Sequence, residues 1–312
     1  MTCCIAAICD DGKNIVLVAD KMIGIGFIES EPDINKLLQL HKNWWVLFAG
    51  DDVSPVFDIV DYAKREIGDA LKKKNQHLSE PIDLQLAMDA IRNSYEKKRM
   101  EEAESLYLKP IGWDIASFNA SAGGQNCLPD FGEIKAKIAD YSFGIELLVA
   151  GFSDEKGYVF ALYGSGQEKG LIKRHDVPGF YAIGSGGTGA VYMMYYRDMS
   201  SKMTLRETVY YAMEAKLFGE QASGVGERTD MYVATSDGKF IRIDDEKTIN
   251  GMLVPIFDRL KPRWPTDKDK GILNSIPELK GFPSTKAERR RKKKTKKKTK
   301  PSSSESSPPS SQ

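Results

Sequence analysis

An α+β fold, with two antiparallel sheets packed face to face between helical layers, is predicted by three observations. Strand-like and helix-like blocks alternate as strands, two helices, strands, two helices, strands. Short turns join the strands of each block, which makes the pairing antiparallel. Each sheet then has an apolar outer face that a helix pair must cover.

The elements follow in order. Cys3–Cys9 is apolar and small, Asp10-Asp11-Gly12 is a turn, and Asn14–Asp20 carries the β-branched run Ile15-Val16-Leu17-Val18, giving a first hairpin. Lys36–Leu40 and Trp44–Ala49 form a second pair closed by Gly50. Val56, Ile59, Val60, Ala63 and Ile67 recur at helical spacing from Ser54 to about Lys73, as do Leu84, Leu86, Ala87, Ala90 and Ile91 from Asp83 to about Glu104. Residues 107–140 are rich in turn residues, show no clear period and read as an insertion. Strands return at Ile145–Phe152, Tyr158–Tyr163 and Gly179–Ile183, and helices at Thr188–Tyr196 and Leu205–Phe218. Thr204 with Glu207 makes a capping box for the last of these. Met231–Thr235 and Lys239–Ile243 form a closing hairpin.

Composition divides the chain into an acidic body and a basic tail. The net charge of +1 conceals 11 Lys and Arg against 2 acids in residues 286–312, which leaves 34 basic and 42 acidic residues in the body. Residues 1–254 form the folded domain, 255–285 an irregular, proline-containing extension, and 286–312 a Lys/Arg-rich then Ser/Pro-rich tail that cannot build a core. The tail predicts salt-dependent, sequence-independent binding to polyanions. The four cysteines lack metal-ligand spacing and do not form a disulfide framework. No stretch approaches a membrane span, and a cytoplasmic protein without metal or organic cofactor is expected.

The chemistry gathers at the start of the chain. Removal of Met1 exposes Thr2, one residue with both a hydroxyl and an α-amine. An α-amine has an ordinary pKa of about 7.7–8.0, so it is partly neutral near pH 7 and can take the hydroxyl proton. No histidine is needed, and His41, His77 and His175 lie in no triad motif. Such a nucleophile needs a cation, a carboxylate to hold it and backbone N–H donors for an oxyanion. Asp20, Lys36 and Gly50 stand at successive strand ends.

The segments TCCIAAI, VLVAD, INKLLQL and FAGDD, with AIGSGG and GEQASGVGERTDMYVATSDG further on, resemble the proteasome β-type subunits, threonine peptidases of the N-terminal-nucleophile class. The resemblance implies a four-layer αββα sandwich, with Thr2 as nucleophile and Asp20 and Lys36 as its charged partners. It also implies that the Gly50 N–H serves the oxyanion, and that Ser185 and Ser223 support the Thr2 amine, with Glu220 where the family has aspartate. Ile23, Ile34, Leu38 and Phe48 map to the substrate pocket. Polypeptide substrates and a closed homo-oligomeric ring are implied, with an ATPase partner left open. Lys21-Met22 replaces the family's Ser-Arg, which removes an expected salt bridge. An amidase acting on small amides and a non-catalytic assembly subunit are the alternatives.

Two other readings of the same residues exist. Gly184, Gly186 and Gly189 fit the dinucleotide-binding G-x-G-x-x-G between a strand and a helix, but Glu207, the acid at the right distance, falls in a helix. Cys3 is a neighbouring nucleophile that strand alternation turns away from the face of Thr2.

Overall fold

The structure is a computed structural model that describes residues 2–25, 28–30, 35–122, 130–243 and 245–260. Among these residues it is a mixed α+β protein with two five-stranded antiparallel sheets, a small hairpin and seven helices. In chain order the elements are β1 (Cys4–Cys9), β2 (Asn14–Asp20), β3 (Ile23–Ile25), β4 (Ile28–Ser30), β5 (Leu37–His41), β6 (Trp44–Gly50), α1 (Ser54–Lys73) and α2 (Leu84–Tyr107). They continue with α3 (Ile115–Ala120), α4 (Phe131–Asp140), β7 (Ile145–Ser153), β8 (Lys156–Tyr163), β9 (Leu171–Arg174), β10 (Phe180–Ile183) and α5 (Gly187–Tyr196). The last are α6 (Leu205–Gly219), β11 (Thr229–Thr235), β12 (Phe240–Ile243) and α7 (Val254–Leu260).

The first sheet runs β10-β1-β2-β11-β12 and the second β5-β6-β7-β8-β9. Strand alternation assigns their faces. In β1, Cys4, Ala6 and Ile8 meet Leu47, Ala49, Leu148, Ala150 and Ala161 of the second sheet. Cys3, Ile5, Ala7 and Cys9 turn to the other side, where they pack with Ala190, Met194, Ala212 and Ala215 of α5 and α6. In β6, Trp44, Val46 and Phe48 face Val56, Ile59, Ala87 and Ile91 of α1 and α2. The layer shared by the sheets is rich in alanine and also holds Trp45 and Tyr232, each stacked on Phe240, at 5.0 and 5.1 Å.

Helix starts follow the local chemistry. Asp83 accepts from Leu86 N at 2.7 Å ahead of α2. The predicted box at α6 is complete, with Glu207 N donating to Thr204 Oγ1 at 3.4 Å and Thr204 N donating to Glu207 Oε2 at 3.1 Å.

Three departures from the sequence reading have identifiable causes. The insertion contains α3 and α4, which fold over the end of α2 on a satellite core of Ala103, Leu108, Phe118 and Ile138, with Phe118 stacked on Phe131 at 4.3 Å. The strand β9 was not anticipated, being four residues long with a single buried position, Ile172. The extension expected to be irregular from residue 255 instead opens in helix: a π-helical stretch over Asp245–Leu253 leads into α7, and buried Ile249 anchors it on the first sheet and α6. The rest of that extension and the basic tail lie outside the described residues. Among those described, no helix is long and apolar enough to cross a membrane.

Candidate functional site

The site is assembled at one end of the first sheet. Thr2 precedes β1, Asp20 ends β2, and Lys36 stands just before β5 of the second sheet. All three are buried. Lys36 Nζ donates to Thr2 Oγ1 at 2.8 Å and to Asp20 Oδ1 at 3.0 Å, so one ammonium joins hydroxyl to carboxylate. Three backbone amides complete the shell of Asp20: Cys3 N reaches Oδ1 at 2.8 Å, while Met22 N and Gly226 N reach Oδ2 at 3.0 and 3.2 Å. A buried ion pair offsets its desolvation only when its remaining hydrogen-bonding capacity is satisfied, and these amides supply that.

The turn between β10 and α5 wraps the backbone of Thr2. Thr2 N donates to Ser185 Oγ at 3.2 Å, and Gly186 N donates to Thr2 O at 3.0 Å. Gly184 has φ +85°, and a Cβ there would stand 2.3 Å from Thr2 O. A Cβ on Gly186 would stand 2.9 Å from the Cβ of Cys3. The glycines therefore admit the first strand of the protein's own sheet, and the space a dinucleotide phosphate would need is filled. Glu146 of β7 accepts from Gly184 N at 2.8 Å and pins the turn to the second sheet.

Of the residues predicted from sequence, Thr2, Asp20, Lys36 and Ser185 are thus brought together. Gly50 ends β6 opposite Ile145. Glu220, just past α6, is paired with Lys216. Ser223 is exposed on the turn before β11, while Ser185 Oγ accepts from the Thr2 nitrogen.

Phe48, named for the substrate pocket, lies on β6 next to Leu47, the partner of Leu37 on β5. Its side chain faces α1, lies 5.9 Å from the ring of Phe57 and is 1% exposed, because β6 alternation turns it away from the inter-sheet face. Leu38 is half-buried against the same cluster. Ile23 lies on β3, and Ile34 lies outside the described residues.

Cys3 is excluded as a rival nucleophile by its surroundings. Burial pushes its thiol up to about 12, with the Asp20 carboxylate adding to the effect, so the thiolate needed for attack does not form near neutrality. Lys21 is not left unpaired by the absence of a following arginine: it is buried 3.4 Å from Asp230, which also accepts from Arg242 at 2.7 Å.

Sequence reasoning missed Lys216. It is fully buried on α6, and its Nζ donates to Glu220 Oε1 and, at 2.8 Å each, to the carbonyls of Gly226 and Glu227. Its spacing was a signal: it falls four residues after Ala212 and three before Gly219, on the apolar stripe of the helix.

The arrangement sets the Lys36 side chain between the Thr2 hydroxyl and the Asp20 carboxylate, donating to both. No group of three or more histidine, cysteine or carboxylate side chains among the described residues is placed to hold a metal ion. Compared with known proteins, the chain matches no protein-family model and no curated protein.

Proposed function

We propose that the chain is a threonine peptidase of the N-terminal-nucleophile class with the four-layer αββα sandwich of the proteasome β subunits, acting in the cytoplasm on polypeptides enclosed by a homo-oligomeric ring. The reading rests on one observation: the Lys36 ammonium bridges Thr2 Oγ1 and Asp20 Oδ1 in a buried setting at the start of the chain.

In this reading, removal of Met1 frees the Thr2 amine. Thr2 Oγ1 attacks the carbonyl carbon of the scissile bond while its proton passes to the amine, and Lys36 offsets the charge on the attacking oxygen. The amine then protonates the leaving nitrogen as the C–N bond breaks, leaving an ester on Thr2. Water, deprotonated by the same amine, hydrolyses that ester and restores Thr2. Gly50 N–H steadies the oxyanion, while Ser185 orients the amine. No metal or organic cofactor takes part. An ATPase feeding the ring and a polyanion held by the tail are further partners of this proposal.

Three measurements test it. The intact mass of the purified protein is expected to lack Met1, and retention of Met1 in an active preparation overturns the mechanism. Thr2→Ala is expected to reduce peptide hydrolysis to background with folding preserved, whereas unchanged turnover would sink the assignment. A panel of peptides and small amides separates a peptidase from an amidase.

A further inference from the structure

Lys216 costs the fold a buried charge and touches no part of Thr2, which calls for an account. Its ammonium spends its three donors on Glu220 and on the carbonyls of Gly226 and Glu227. The amide of that same Gly226 donates to Asp20 Oδ2 at 3.2 Å, on the opposite oxygen from the one Lys36 holds. A path of direct hydrogen bonds therefore runs from α6 through the loop before β11 to Asp20, Lys36 and Thr2. Charges alternate along it: Glu220 negative, Lys216 positive, Asp20 negative, Lys36 positive. The thiol of Cys3, beside Thr2 in sequence, feels all four.

We propose that Lys216 is a positioning residue of the Thr2 centre, fixing the 226–227 loop on Asp20 and, with Glu220, setting the electrostatic field in which Thr2 works. The proposal rests on the threonine-nucleophile reading for its catalytic meaning, but its physical content is measurable without catalysis. An apolar residue at this helix position would bury as well but would remove the donor that two carbonyls and Glu220 share. Among the described residues, the charged groups linked to Thr2 through these hydrogen bonds include Asp20 from β2, Lys36 before β5, Glu146 of β7 through Gly184, and Lys216 and Glu220 through the 226–227 loop.

The test uses the full-length, Met1-processed protein as wild type, Lys216→Met, Lys216→Arg, Glu220→Gln and the double variant Lys216→Met/Glu220→Gln. The titration of the Thr2 α-amine is read from the pH dependence of its acylation by an amine-reactive ester, followed by mass spectrometry of the N-terminal peptide. Loss of a nearby cation favours the protonated amine, so Lys216→Met is expected to move the midpoint up by about half a pH unit, and Glu220→Gln to move it down by a similar amount. The double variant should return towards wild type, and Lys216→Arg should stay close to it. A role in stability alone predicts equal midpoints for all the folded variants, and that result overturns the proposal. If Lys216→Met does not fold, the comparison of Glu220→Gln with the double variant decides it by the same opposed shift. Midpoints that move in a protein without peptide hydrolysis uphold the electrostatic role and reject the peptidase reading; hydrolysis with unmoved midpoints does the reverse.

Discussion

The ammonium of Lys36 stands 2.8 Å from Thr2 Oγ1 and 3.0 Å from Asp20 Oδ1, with every one of these groups buried. Replacing Lys36 by methionine keeps much of the volume and removes the charge. Peptide hydrolysis is expected to fall at least about 100-fold, the scale of losing one oriented charge-stabilising donor. Stability should fall by about 3 kcal/mol, because Asp20 keeps a buried charge whose remaining donors are the amides of Cys3, Met22 and Gly226. Lys36→Arg should not restore turnover, since a planar guanidinium fork cannot take the place of a compact ammonium between two oxygens. Turnover assays with urea titrations of each variant check all three outcomes.

Ser185 and Ser223 are expected to separate. Ser185→Ala removes the acceptor for the Thr2 nitrogen, worth about 1 kcal/mol and so about a fivefold loss of kcat/KM. Ser223 is exposed, and Ser223→Ala should leave kcat/KM within about twofold. A larger loss at Ser223 than at Ser185 would reverse the assignment made from the geometry.

Phe48 should behave as a core residue. Phe48→Ala is expected to destabilise the protein by about 3–5 kcal/mol through the cavity left against Phe57 and α1. The ranking of peptides by the residue preceding the cleaved bond should not change. Urea midpoints and a peptide panel measure the two effects separately.

His175 is expected to make stability pH-dependent. Its ring stacks on Tyr181 at 3.6 Å, and burial, with Lys173 adding, pushes its pKa down to about 4 from an ordinary 6.5. Between those values the unfolded chain binds the proton and the folded one does not, so stability rises with pH across the window and is lost as pH falls through it. Discounted for the ring's partial exposure, the contribution is on the order of 2 kcal/mol. His175→Phe should flatten the dependence of urea midpoints on pH between about 4 and 6.5. An unchanged slope would show that another group carries it.

The legibility of these features in the sequence varied with how local their cause is. The bounds of α1 were readable because Val56, Ile59, Val60, Ala63 and Ile67 repeat without interruption, and all five are buried. The meeting of Thr2, Asp20 and Lys36 was readable because strand ends in a hairpin sheet collect at one edge. The helices of the insertion were not, since each is short and their shared core has only four fully packed positions. The burial of Phe48 against α1 was not legible, because a resemblance transfers a position but not the packing around it. Lys216 escaped notice because lysine on a helix is ordinarily solvated, and only the tertiary contacts of α6 reveal which lysine is not.

The alanine-rich layer between the sheets acts as a gauge block for the contact between Lys36 and Thr2. Thr2 and Asp20 are carried by one sheet and Lys36 by the strand entry of the other, so the gap set by Ala6, Ala19, Ala49, Ala150 and Ala161 also sets how far the ammonium stands from the hydroxyl. Close-packed interiors transmit a change of one methylene rather than absorb it. Enlargement in that layer is therefore expected to lengthen the contact between Lys36 and Thr2, and variation accepted there should consist of exchanges that preserve thickness.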